Sequence, residues 1–96
     1  MNIYVDIDNT ICQTLGSDYE NSTPIYINIE KINNLYESGH QITYYTARGS
    51  ISKIDWYDMT KGQLSLWGCK YHNLSVGEKP AFDLLIDDRT KRIEEI

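Results

Sequence analysis

Short apolar runs alternate with helical patterns along this chain, and that order leaves few ways to bury them. "IYV" (3–5) is β-branched and aromatic and predicts a strand almost at the first residue. Residues 11–24, "ICQTLGSDYENSTP", are polar, with Gly16 and Pro24 as breakers, and read as a loop or small flap. "TPIYINIEKINNLYESG" then carries a helical signature. Thr23 suits the cap, Pro24 the first helical position and Gly39 the C-terminal stop, while Ile25, Ile29, Ile32 and Tyr36 make one apolar stripe. "QITYYT" (41–46) predicts a second strand, followed by the loop "ARGSIS". A short helix is expected over "TKGQLSLWG", with Thr60 and Gln63 as a capping box and Gly68 as the stop. "CKYHNL" suits a brief third strand, and the tail "DRTKRIEEI" begins a last helix. "FDLLID" (82–87) contains the continuous apolar run of a strand covered on both faces. Strand–helix–strand–helix–strand–strand favours an α/β fold with a parallel sheet and right-handed crossovers.

Ninety-six residues make a single domain, 1–96. A net charge of −5 argues against a nucleic-acid or anionic-membrane partner, which a basic surface would serve. No apolar run is long enough to span a bilayer, and the N-terminus has Asp6 and Asp8 where a signal peptide would be apolar. Cys12 and Cys69 are too few for a disulfide scaffold and read as two reduced thiols of a cytoplasmic protein.

Ligands of open parallel sheets sit at the carboxyl ends of the strands. Asp6 follows the first strand, Thr46 the second, and Asp87 with Asp88 the last; Lys79 approaches from the preceding loop. Converging carboxylates make a hard oxygen site of the kind Mg²⁺ prefers, and the ion offsets their mutual repulsion. A phosphate ester brought there would meet the Thr46 hydroxyl and the Lys79 ammonium. Asp6 is then placed to attack phosphorus, and Asp8 to exchange a proton with the leaving oxygen and the attacking water.

These residues resemble the four motifs of the haloacid dehalogenase superfamily of aspartate-nucleophile phosphohydrolases. "VDIDNT" matches the first, Thr46 in "YYTARG" the second, Lys79 in "GEKP" the third and "LLIDD" the fourth. The likeness runs from residue 3 to about residue 89. It implies a minimal Rossmann-like core, Mg²⁺ dependence, and a metal held by Asp6, the backbone carbonyl of Asp8 and Asp87, with Asp88 directly or behind it. It also implies a helical turn and flap at residues 11–24. "YTARG", the "DW" at 55–56, "QLSLWG" and "DLLIDDR" look like small capless members associated with capsule and sugar-phosphate biosynthesis and with phage. Asn9 stands where the family commonly has Gly, and Asn tolerates the left-handed geometry of a tight turn. The chain has no room for a cap, so a bulky substrate, a lid-supplying partner, a second copy of the chain or an open pocket must serve instead.

Arg48 lies on the loop after Thr46, where it suits a substrate phosphate or a salt bridge to Asp87, Asp88 or the flap. Trp56 and Tyr57 suit packing or ring stacking, Trp67 the core, and His40 and His72 structural or exposed positions. The expected activity is hydrolysis of a small phosphorylated metabolite such as a sugar phosphate. A nucleotide or polynucleotide end phosphatase and a non-catalytic binding module are the alternatives.

Overall fold

A computed structural model describes residues 1–77, the strand at 84–86 and residue 96. Lys79, Asp87, Asp88 and the expected C-terminal helix lie outside the described residues. The fold is α/β, a minimal Rossmann-like parallel sheet; among the described residues two helices flank it and no cap domain is present. The strands are β1 (Asn2–Asp6), β4 (Gln41–Thr46), β5 (Asn73–Val76) and β6 (Leu84–Ile86), ordered β5-β4-β1-β6 and all parallel. A two-stranded antiparallel ladder of β2 (Cys12–Gln13) and β3 (Thr23–Pro24) stands apart from the sheet.

β1 alternates as a pleated strand should, with Ile3 and Val5 buried, whereas Ile42 to Thr46 of β4 are buried without a break. The helix α1 (Tyr26–Glu37) packs on β4 and sends Ile29 and Ile32 into the core. In turn α2 (Tyr57–Leu66) packs on β5, contributing Leu64 and, just past its end, Trp67. Both helices stop at a left-handed glycine, Gly39 (φ 96°) and Gly68 (φ 73°). In each case the following residue closes the turn, with His40 N–H donating to Leu35 O and Cys69 N–H to Leu64 O.

Three local expectations need correction. Thr23 and Pro24 do not cap α1; they pair with Gln13 and Cys12, and α1 starts at Tyr26. Its start is held instead by the segment before β2, through Ile25 N–H to Ile11 O (2.8 Å) and Asn28 Nδ2 to Thr10 O (2.9 Å). Thr60 and Gln63 form no capping box, because α2 begins a turn earlier, where Asp55 Oδ1 accepts the Tyr57 N–H. The third strand starts at Asn73, four residues later than "CKYHNL" suggests. Residues 68–70 are bonded to α1, with Asn33 Nδ2 donating to Gly68 O and Asn33 Oδ1 accepting from Lys70 N–H.

His72 proves structural. Its Nδ1 accepts the Ile42 N–H at 3.0 Å and its ring stacks on Tyr36. Gly62, inside α2, has open space where a Cβ would stand. Gly62→Ala is therefore expected to raise stability by about 0.5–1 kcal/mol, read as a higher Tm.

Candidate functional site

The site begins where β1 ends. Asp6 is its last residue and lies in register with Tyr45, one residue short of the end of β4. Ile7 continues the ladder, donating to Tyr45 O, and then the chain turns. Asn9 takes the left-handed conformation (φ 65°) that its position in the motif suggests, and Thr10 and Ile11 N–H groups fold back onto Ile7 O. This turn holds Asp8 against the carboxyl end of β4.

Asp8 is surrounded by donors. Thr14 Oγ1 donates to Asp8 Oδ1 at 2.7 Å, and Thr46 Oγ1 to Oδ2 at 3.0 Å. Arg48 covers both carboxylate oxygens, Nη2 to Oδ1 at 2.7 Å and Nε to Oδ2 at 3.0 Å. Burial pushes the Asp8 carboxyl up. The hydrogen bonds from Arg48, Thr14 and Thr46, with the Arg48 charge, outweigh that and hold it below its ordinary 3.8. Asp8 is a carboxylate locked in a protein-made cradle.

Arg48 itself is wholly buried, its side chain 0% exposed beside the 20% of Asp8. Its remaining nitrogen, Nη1, donates to Gln63 Oε1 (2.7 Å) and Thr60 Oγ1 (3.1 Å). Gln63 Nε2 then donates to Tyr19 O at 2.6 Å, and the Tyr19 ring lies 4.8 Å from the guanidinium carbon. The expectation that Arg48 binds substrate phosphate is thus corrected; its salt-bridge partner among the described residues is Asp8, and Asp87 and Asp88 lie outside them. A guanidinium buried this deeply needs an anion beside it, and Asp8 is that anion.

Asp6, Asp8 and Thr46 do meet at one sheet edge, and β6 ends there too, with Ile86 opposite Val5. The Thr46 hydroxyl has a single proton, which it directs to Asp8; donating to a phosphoryl oxygen means exchanging that bond. The carboxylate of Asp8 is engaged by Arg48, Thr14 and Thr46. Among the described residues no three His, Cys, Asp or Glu side chains gather as a metal site. A complete Mg²⁺ site needs acids from beyond Ile86, where the sequence has Asp87 and Asp88. Cys12 and Cys69 are free, and burial raises both thiols, Cys69 to about 12.

Four residues escaped the sequence reading: Thr14, Tyr19, Thr60 and Gln63. The spacing of Thr60 and Gln63 was visible, but it reflects a shared helix face that receives Arg48. Beyond Thr46 the loop folds tightly at Gly49 (φ 82°), where a Cβ would lie 2.1 Å from Ile54 O. Gly49→Ala is expected to cost about 2–4 kcal/mol, from left-handed strain plus that clash, measurable by denaturant unfolding. Between this loop and the flap lies a cavity of about 470 Å³, reached from Ala47.

No family model matches the chain, and no curated protein matches it. Among solved structures, the crystal structure of a target protein from Vibrio cholerae is similar, with a TM-score of 0.77 and 28% identity. The match covers 98% of this chain and 85% of that one.

Proposed function

We propose that the chain is a Mg²⁺-dependent phosphomonoester hydrolase of the haloacid dehalogenase type, acting in the cytoplasm on a small phosphorylated metabolite. One observation carries the reading: a carboxylate, Asp8, is fixed by Thr46 and Arg48 at the carboxyl edge of a parallel sheet, two residues beyond the strand-end Asp6. A merely structural turn does not need a buried guanidinium to orient its acid.

An Asp6 carboxylate oxygen forms a bond to phosphorus as the bond to the ester oxygen breaks, giving an aspartyl-phosphate and an alcohol. The alcohol oxygen takes its proton from Asp8 in its protonated form, the form that the bonds from Arg48, Thr14 and Thr46 disfavour. Water then attacks the intermediate and returns a proton to Asp8, releasing phosphate and Asp6. The Arg48 cradle favours the ionised form of Asp8, the form needed for this second step. Thr46 exchanges its bond to Asp8 for one to the phosphoryl group, and Lys79 adds positive charge. Asp6, the Asp8 carbonyl and Asp87 or Asp88 would hold Mg²⁺, which would supply positive charge to the phosphoryl oxygens. The cytoplasmic assignment draws support from the two free thiols, and no helix among the described residues is long and apolar enough to cross a membrane.

The test is phosphate release from a broad panel of phosphomonoesters, with Mg²⁺ and with chelator. Release that requires Mg²⁺ is the expected result. Inertness towards every ester at saturating Mg²⁺ would sink the reading.

A further inference from the structure

Gln63 stands on α2 with both ends of its side-chain amide engaged. Its Oε1 accepts from Arg48 Nη1 at 2.7 Å, and its Nε2 donates to Tyr19 O at 2.6 Å. A guanidinium only donates and a backbone carbonyl only accepts, so the two partners fix which way round the amide lies. One end therefore touches the ion pair of the site and the other touches the flap. Tyr19 opens the short helical turn Tyr19–Asn21, and its ring lies 4.8 Å from the guanidinium carbon. The residue that Gln63 tethers is the one that covers Arg48.

The guanidinium carries this hold to Asp8. It is planar and rigid, so fixing Nη1 also fixes the edge of Nε and Nη2 that grips the carboxylate. Thr60 Oγ1 accepts from Nη1 as well, at the longer 3.1 Å. On the carboxylate, Oδ1 takes the two short bonds, from Arg48 Nη2 and Thr14 Oγ1, both 2.7 Å. Oδ2 takes bonds of 3.0 Å from Arg48 Nε and Thr46 Oγ1, and the second is given up when Thr46 turns to a phosphoryl group. Oδ2 is then the oxygen with room for a proton, and Arg48 sets its direction.

Building on the phosphohydrolase reading, we infer that Gln63 is a positioning residue for proton transfer at Asp8. One end of its amide sets the plane of Arg48, which aims Oδ2 at the leaving oxygen; the other pins the flap over that ion pair. As Asp6 bonds to phosphorus and the ester bond breaks, one proton passes from Oδ2 to the ester oxygen. An ester whose alkoxide must be protonated on leaving needs this aim. One that expels a stable phenolate does not.

The experiment measures kcat/KM at saturating Mg²⁺ for p-nitrophenyl phosphate and for the alkyl phosphate that wild type hydrolyses fastest. Wild type, Gln63→Leu and Gln63→Glu are compared, and amide hydrogen exchange is followed over the flap. Gln63→Leu loses both bonds. It is expected to lower kcat/KM for the alkyl ester by roughly tenfold or more, and for the nitrophenyl ester by less than about threefold. Gln63→Glu keeps an acceptor for Arg48 but has no donor for Tyr19 O, so it should recover much of the alkyl-ester rate. In both variants the N–H groups of Asp18, Tyr19, Asn21 and Ser22, bonded within the flap, should exchange roughly tenfold faster. Equal losses on the two esters, or no recovery in Gln63→Glu, would show a merely structural residue and overturn the positioning role. Flap exchange unchanged in both variants overturns the tether. A wild type that releases phosphate from no ester brings down the hydrolase reading and the proton-transfer role together.

Discussion

Asp6→Asn is expected to abolish Mg²⁺-dependent phosphate release, a loss of about 10⁴-fold or more in kcat, while far-UV circular dichroism stays that of an α/β fold. The amide presents no anionic oxygen to phosphorus, so the covalent intermediate cannot form. Asp6 ends the central strand β1, which has the β4 ladder on one side and β6 on the other, so backbone bonding along the strand fixes where it stands. The isosteric amide should therefore keep the fold. Acid quenching of wild type during turnover should trap phosphate on the protein, and the same treatment of Asp6→Asn should trap none. Equal turnover by both proteins would remove Asp6 from the role of nucleophile and leave the fold assignment intact.

The second large effect falls on stability. Arg48→Met keeps much of the aliphatic bulk but withdraws the cation from Asp8 and leaves the acceptors Thr60 Oγ1 and Gln63 Oε1 without their donor. A buried charge left without its partner costs about 3–5 kcal/mol, and the partial exposure of Asp8 places this site near the lower figure. For a domain of this size that corresponds to a fall in Tm of about 10–20 °C. Arg48→Met/Asp8→Asn, which buries neither charge, should recover a substantial part of the loss. The sign with pH follows from the Asp8 shift. In wild type the carboxyl titrates below 3.8, so its stabilisation is complete above that value and is lost as pH falls through the lowered one. In the variant burial is opposed only by the Thr14 and Thr46 bonds, so the Asp8 carboxyl lies higher than in wild type and less stability is lost as pH falls. The gap between the two proteins should be wide at neutral pH and close in acid; a double variant no more stable than Arg48→Met, or a gap independent of pH, would show that Arg48 acts by packing alone.

The backbone of this protein was more legible than its site. "QITYYT" is the strand Gln41–Thr46, and the stops at Gly39 and Gly68 fall where the sequence puts them, because each depends on a local preference. The left-handed turn at Asn9 belongs to the same group. Thr23 and Thr60 misled for one reason: cap residues are recognised by their neighbours in sequence, whereas both were claimed by partners elsewhere. Thr23 pairs across the flap with Gln13, and Thr60 receives a guanidinium from twelve residues upstream. Arg48 was the largest surprise at the site. Nothing in "TARGS" distinguishes an arginine turned outward to a phosphate from one turned inward to an aspartate forty residues earlier. Only the sheet, by laying the end of β4 beside that of β1, makes the second pairing available. Lys79, Asp87 and Asp88 complete the motif in sequence and lie outside the described residues.

The strand order also bears on how such a chain is made. Of the four strands of the sheet β1 leaves the ribosome before the others, yet it occupies the interior, between β4 and β6. At about 5–20 residues per second, its β6 side waits several seconds for residues 84–86 after Ile3 and Val5 have emerged. During that interval β1 can pair with β4 but presents an unfilled edge carrying the most apolar segment of the N-terminus. Nascent chains stalled before residue 84 should accordingly be prone to capture by chaperones or by one another, and chains released beyond β6 should not.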